Sequence, residues 1–498
     1  MPARTTNPTK EKSPTKEQSP TKGLRVGSRW RVMPVPPTFR GTSVQVCGFW
    51  PFAGGSSRPA VGVPVGQDIQ TGSTVCCDPF SWFRAGFISS PSMAIFGMPG
   101  LGKSSFAARQ MIGLADQGAI TMVCDLKGEY SPLCRALGGQ VLDYGRGYRV
   151  NLLDLGAMGD AAKRIGGPRG QALRELAVAR AVDAVATQVQ IVRRSAVTDW
   201  EQTLLTAAVW QLDHAYRRRK AAPTLGDLAQ LLHDPSEAMQ AAIITDNSSV
   251  YAELTTGLRR SLQAVLQGPL GRMYDGQSTA RLQTDTPMVS VDVSAVSRQS
   301  ETILSSAMLA SWSEMFSTIE AANALTDAGL EPQRHYLVVL DEMWRAMRLE
   351  GAELVEKADG ITRLNRNEGV GNLFITHSLR DLESMTTKAD NTKARGFAER
   401  SGIVVTAGLA KEDLRALSEV KRMSEVEIAT VAGWSTPPGW RSRQVRGADG
   451  RTRPAPPPGA GKVLIKLGER AGIQTQVRLT RTELDLHDTN NRWLGAAS

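Results

Sequence analysis

Gly97-Met-Pro-Gly-Leu-Gly102-Lys103-Ser104 fits the pattern G-x4-G-K-[ST] in full. Met93 to Phe96, just before it, is a short apolar strand. Ser105 to Gln117, just after it, reads as a helix with Ala107, Met111 and Leu114 on one packing face and Gly118 placed to stop it. A glycine-rich turn followed by a chance Lys-Ser would lack these flanks. Glycines let a backbone wrap closely round phosphates, so that amide N–H groups and a helix N-terminus face the negative charge. Gly97, Met98, Pro99, Gly100, Leu101 and Gly102, with Ser105 in the first helical turn, are therefore expected to line a bound nucleotide's phosphates. Lys103 should reach the β and γ phosphates, and Ser104 should ligate Mg²⁺.

Such a loop needs an acid at the end of a buried strand. Tyr336-Leu-Val-Val-Leu340 is such a strand, and it runs into Asp341-Glu342. Asp341 would hold the metal's water shell, and Glu342 would polarise a water for attack on the γ phosphate. Ala119 to Asp125, Met288 to Asp292, Asn372 to Thr376 and Ile403 to Thr406 read as further strands. Their alternation with helices predicts an α/β fold with a mostly parallel sheet covered on both faces. His377, in Thr376-His377-Ser378, is either a sensor of the γ phosphate or a satisfied polar residue at a strand end. Arg363 and Arg366 are candidates for a cation that reaches a neighbouring subunit's transition state, against the reading of a solvated helix face.

Residues 151–284 carry apolar residues at spacings of three and four, as in Val182, Val185, Val189 and Val192, which predicts an all-helical insertion. The insertion divides the α/β core into 91–150 and 285–433. Residues 24–90 hold short apolar runs broken by Gly and Pro, including Val44 to Trp50, Val61 to Val65 and Thr74 to Phe80, and read as a β-rich segment. Residues 434–462, with Arg441, Arg443, Arg446, Arg451 and Arg453, read as a basic Pro/Arg-rich loop, either a solvated linker or a groove for nucleic acid. Residues 463–498 are expected to form a C-terminal β-hairpin turning at Gly468 to Gly472. Residues 1–23 contain near-copies of a Pro-Thr-Lys unit with nothing to bury, which predicts a disordered basic tail.

Composition narrows the function classes. The chain has 498 residues, enough for roughly three domains. Its net charge of +10 suits an acidic partner such as nucleic acid or an anionic membrane surface. Five cysteines without a CxxC pair argue against a disulfide framework or a zinc ribbon, and five scattered histidines against a histidine-rich metal site. No apolar run reaches the length of a spanning helix, so a cytoplasmic protein is expected, peripheral to a membrane at most.

Several stretches resemble one family, the VirB/TraC-type ATPases of conjugative type IV secretion systems in the HerA/FtsK superfamily. Besides the phosphate loop these are Val123-Cys-Asp-Leu-Lys-Gly-Glu-Tyr130, Gly138-Gly139, Asn151-Leu-Leu-Asp154, Gly268-Pro-Leu-Gly-Arg-Met-Tyr-Asp-Gly276 and Asp341-Glu-Met-Trp344. The resemblance runs from about Met93 to Gly433. It implies a RecA-like core with an all-α insertion, ATP and Mg²⁺ as cofactors, and a hexameric or membrane-recruited motor. Such a motor would energise assembly of, or substrate passage through, a DNA-transfer channel at the inner face of the cell membrane. Its partners would be membrane proteins of the channel and a DNA or nucleoprotein substrate. Two departures stand out: the phosphate loop comes early in the chain, and His377 occupies a position where the family commonly has Gln. The competing expectations are a DNA translocase that binds duplex directly and a nucleotide-gated assembly scaffold.

Overall fold

A computed structural model describes residues 59–347, 355, 368–383, 388–435, 444–446, 452–455 and 457–486. In chain order the strands are β1 (Pro64–Asp68), β2 (Thr74–Cys76), β3 (Ser92–Phe96), β4 (Ile120–Asp125), β5 (Gln140–Asp143), β6 (Met288–Asp292) and β7 (Tyr336–Asp341). They continue as β8 (Val370–Thr376), β9 (Ile403–Thr406), β10 (Gln444–Arg446), β11 (Thr452–Pro454), β12 (Lys462–Leu467) and β13 (Ile473–Val477). Eleven of them form one sheet in the order β2-β1-β13-β12-β9-β3-β8-β7-β4-β6-β5. From β9 to β5 every neighbouring pair is parallel. From β9 through β12, β13 and β1 to β2 every pair is antiparallel.

Burial on both faces explains why the central strands read as unbroken apolar runs. Every residue of β4, β6, β7 and β8 is buried. Side chains alternate between the two faces with the strand period of two. Met93 and Ile95 of β3, with Leu337 and Val339 of β7, pack with Phe106, Met111 and Leu114 of the helix Lys103–Asp116. Ala94, Phe96, Val338 and Leu340 face the other way, into a cluster that includes Met308, Trp312 and Met315 of the helix Glu301–Asp327. Each fully buried large side chain of this kind contributes about 1.5–3 kcal/mol relative to exposure.

Between Gly156 and Tyr274 the chain forms helices, the longest being Gly167–Arg193, Asp199–Tyr216 and Ser248–Gln267. Val182, Val185, Val189, Leu204, Leu205, Ala208 and Leu258 belong to the same buried cluster as β3, β4 and β7, so one continuous core joins these helices to the sheet. Thr198 and Glu201 form a reciprocal capping box at the start of Asp199–Tyr216, and Thr224 and Asp227 do the same for Leu225–His233.

Several local readings shift. The phosphate-loop helix begins at Lys103 rather than Ser105. The run from Thr74 ends as a strand at Cys76, and Pro79–Arg84 is helical because Asp78 accepts from the Ser81 amide and Pro79 opens the first turn. The two C-terminal strands do pair antiparallel as a hairpin, and the hairpin is built into the main sheet: β12 lies alongside β9, and β13 carries β1 and β2. A short helix, Arg481–Leu486, follows them. Within 434–462 the strands β10 and β11 pair antiparallel. Val44 to Trp50, residues 1–23, and Arg363, Arg366, Arg441, Arg443 and Arg451 lie outside the described residues.

Buried charge ties the antiparallel strands to the core. Lys466 of β12 donates to both oxygens of Glu427 at 3.2 Å. Glu427 also accepts from the Gly472 amide at 2.6 Å, which fixes the β12–β13 turn against the helix Glu425–Ser435. Arg109, on the phosphate-loop helix, pairs with Glu483 at 2.6 Å.

Candidate active site

The carboxyl ends of parallel strands gather loops at one edge of a sheet, and the strand order decides which loops meet there. Here β8 lies between β3 and β7, and β4 flanks β7 on its other side. The phosphate loop, His377, the Asp341-Glu342 pair and the loop after β4 therefore share one edge.

The phosphate loop is held from three neighbouring segments. The Gly97 amide donates to His377 O at 3.1 Å, the Met98 amide donates to Gly408 O at 3.0 Å, and Leu101 O accepts from the Gly461 amide at 3.0 Å. Gly97 is needed for close approach, since a Cβ there would lie 2.6 Å from the Ala407 Cβ. Gly102 caps the helix in the left-handed region, at φ 101°, and no side chain caps the first turn. The amides of that turn thus have no intrahelical acceptor. Met98, Pro99 and Gly100 form an exposed crown, while Ser104 and Ser105 are half-buried at the helix start. Amides, a helix N-terminus and an ammonium, with no carboxylate in the loop, are a donor set that fits a polyphosphate anion.

Lys103 is 7% exposed. Its amine donates to Gly97 O at 2.5 Å and stands 3.0 Å from His377 Nδ1. Burial lowers its pKa to about 8, against the opposing pull of the Glu342 charge. On the other side of the ring, His377 Nε2 lies 2.9 Å from Glu342 Oε1. Glu342 also receives Lys127 Nζ at 3.4 Å and Trp344 Nε1 at 2.7 Å. Burial alone would raise the Glu342 carboxyl, but His377, Lys127 and Trp344 together hold it down to about 2. Glu342 takes φ 49°, an uncommon left-handed conformation for a residue with a side chain, and its amide donates to Ile375 O at 2.9 Å.

Asp341 is buried, and that burial raises its pKa to about 7, the nearby Lys127 charge opposing the shift. The Tyr130 hydroxyl lies 3.5 Å from Asp341 Oδ2 and hydrogen-bonds with Ser104, so it bridges the two residues expected at the metal. Tyr130 and Lys127 are placed by Asp125 at the end of β4, whose carboxylate accepts from the Lys127, Glu129, Tyr130 and Ser131 amides at 3.3, 3.0, 2.8 and 3.0 Å. Among the described residues no group of three or more His, Cys, Asp or Glu side chains is placed to hold a metal ion. The protein donors on hand for Mg²⁺ are Ser104 and Asp341, the sparse set that this ion takes when phosphate oxygens and water complete its shell.

Lys103, Ser104, Asp341, Glu342 and His377 thus converge, whereas Arg363 and Arg366 lie outside the described residues. Lys127, Tyr130 and Trp344 also belong to the site. Each sits in a motif stretch, Val123 to Tyr130 or Asp341 to Trp344, but nothing along the chain assigns them a contact.

No protein-family model matches the chain, and no curated protein matches it. Among solved structures it is similar to VirB4 of Thermoanaerobacter pseudethanolicus, with a TM-score of 0.62 at 16% identity over 86% of this chain and 99% of that one. It also matches the bacterial conjugative coupling protein TrwBdeltaN70, with a TM-score of 0.46 at 13% identity over 84% of this chain and 89% of that one. A further match is the plasmid coupling protein TrwB in complex with ADP and Mg²⁺, with a TM-score of 0.44 at 12% identity over 78% and 86%. The likeness to VirB4 is one of fold: the chain has the α/β architecture of the RecA-like P-loop ATPases, the fold that its motifs imply.

Proposed function

We propose that this chain is an ATP-hydrolysing motor of a conjugative type IV secretion apparatus, energising channel assembly or substrate transfer. The observation that carries the reading is the convergence of Lys103, Ser104, Asp341 and Glu342 at the carboxyl edge of a sheet with the VirB4 fold. Lys103 leaves Gly97 O for the β and γ phosphates, and the loop amides hold the triphosphate in line. Ser104 and Asp341, with Tyr130 behind them, would hold Mg²⁺, which when bound would add positive charge beside the phosphates. Glu342 accepts the proton of the attacking water once its donors let an oxygen go. Arg363 or Arg366 of a neighbouring copy supplies a further cation in a ring-shaped oligomer.

In this reading the helical stretch 151–284 is an insertion domain, and membrane proteins of the channel recruit the motor to the inner face of the membrane. No helix among the described residues is long and apolar enough to cross a membrane. Steady-state hydrolysis by the purified chain, with and without DNA and with Lys103→Ala as the blank, tests the proposal. Lys103-dependent turnover that DNA does not change supports a secretion-channel ATPase. Strong stimulation by DNA would replace it with a duplex translocase, and the absence of turnover in both conditions would leave a nucleotide-gated scaffold.

A further inference from the structure

His377 stands between the two groups that hydrolysis requires. Its Nδ1 is 3.0 Å from the Lys103 amine, and its Nε2 is 2.9 Å from Glu342 Oε1. An ammonium can only donate, so Nδ1 must accept, and an ionised carboxylate can only accept, so Nε2 must carry the proton. One neutral tautomer satisfies both contacts, and protonating Nδ1 would set two donors against each other. The ring is anchored from its own main chain as well, since His377 O accepts from the Gly97 amide of the phosphate loop at 3.1 Å.

The remaining donors to Glu342 come from elsewhere in the fold. Lys127 reaches Oε1 from the loop after β4, and the Trp344 indole N–H reaches Oε2 from the segment after β7. Both oxygens are therefore engaged, and of their donors His377 also touches the phosphate-binding lysine.

We propose that His377 is a positioning residue coupling Lys103 to Glu342: Nε2–H orients the carboxylate, while Nδ1 competes with phosphate for the lysine. The assignment rests on the ATPase reading above. Phosphate that captures Lys103 strips Nδ1 of its donor, so nucleotide arrival is felt at Glu342 through the ring. A glutamine side chain offers the same pair of groups, a carbonyl oxygen as acceptor and an amide N–H as donor. Alanine offers neither.

The test uses the full chain as wild type, His377→Ala and His377→Gln. It measures equilibrium binding of a non-hydrolysable ATP analogue beside steady-state ATP turnover. His377→Ala is expected to bind the analogue roughly threefold to tenfold more tightly, because the competitor for Lys103 is gone. Its kcat is expected to fall by about tenfold or more, because Glu342 has lost an orienting donor. His377→Gln should stay within about twofold of wild type in both, which separates the hydrogen-bonding pair from the mere presence of a side chain.

Weaker binding in His377→Ala would overturn the proposal in favour of a direct phosphate contact. Unchanged binding and unchanged kcat would overturn it in favour of a bystander at a strand end. A glutamine variant as impaired as the alanine variant would also overturn it, since ring shape would then matter and the donor–acceptor pair would not. If wild type showed no Lys103-dependent turnover, the ATPase reading would fall by itself. The binding comparison would still decide whether His377 competes for Lys103.

Discussion

Raising the pH should weaken nucleotide binding through Lys103. The residue is 7% exposed, and burial lowers the pKa of its amine to about 8 in the free protein. Bound phosphates demand the charged form, so binding above that pH must take up a proton. At pH 7 nearly every molecule carries the ammonium, whereas at pH 9 roughly one in ten does. The apparent Kd for an ATP analogue should therefore rise about tenfold between pH 7 and pH 9 at fixed free Mg²⁺. Titration calorimetry in two buffers of different ionisation enthalpy reads both the affinity and the proton uptake. Lys103→Ala should bind weakly at pH 7 and lose the slope. A flat affinity from pH 7 to 9, or a slope that survives in Lys103→Ala, would mean that Lys103 does not set the pH dependence of binding. The same shift acts on stability with a definite sign. The unfolded chain, with a lysine pKa near 10.5, holds more protons between about pH 8 and 10.5, so this residue's contribution to stability grows as pH rises through that window.

Two further predictions concern residues around the site. Tyr130→Phe removes the hydroxyl between Ser104 and Asp341, and should raise the Mg²⁺ concentration needed for half-maximal turnover roughly tenfold; an unchanged Mg²⁺ dependence would remove Tyr130 from that role. Lys466→Met leaves Glu427 buried without its ammonium partner, and should cost about 3–5 kcal/mol in urea unfolding. A loss under about 1 kcal/mol would mean that the Ser424 and Gly472 amides satisfy Glu427 by themselves.

What the sequence made legible follows from how local each signal is. The phosphate loop, the strand into Asp341-Glu342 and the buried strands β4, β6, β8 and β9 all announce themselves through apolar runs and glycine spacing. β5 does not, because Gln140–Asp143 is a short edge strand with one fully buried position and so no apolar run. The place of β12 and β13 was equally hidden. Alternation along Ile473–Val477 predicts a strand, but the choice of β9 as neighbour for β12 depends on residues some sixty positions earlier, Ile403 to Thr406. The helix at Pro79 did carry a local signal in Asp78-Pro79, outweighed by the apolar run from Thr74.

The site divides along the same line. Lys103, Ser104, Asp341 and Glu342 belong to patterns whose spacing is itself the evidence. Lys127, Tyr130 and Trp344 acquire their contacts only because β4 lies beside β7 and Asp125 winds the following loop back over Asp341. The position of His377 at a strand end could be read, but its two partners could not, since β8 had first to be placed between β3 and β7.

The most direct test of the account is Mg²⁺-dependent release of γ phosphate from ATP, measured in parallel for wild type, Lys103→Ala and Glu342→Gln, with ATP-analogue affinity read on the same samples. Turnover is expected in wild type, loss of both binding and turnover in Lys103→Ala, and near-normal binding with roughly hundredfold slower turnover in Glu342→Gln. Equal phosphate release from all three would contradict it.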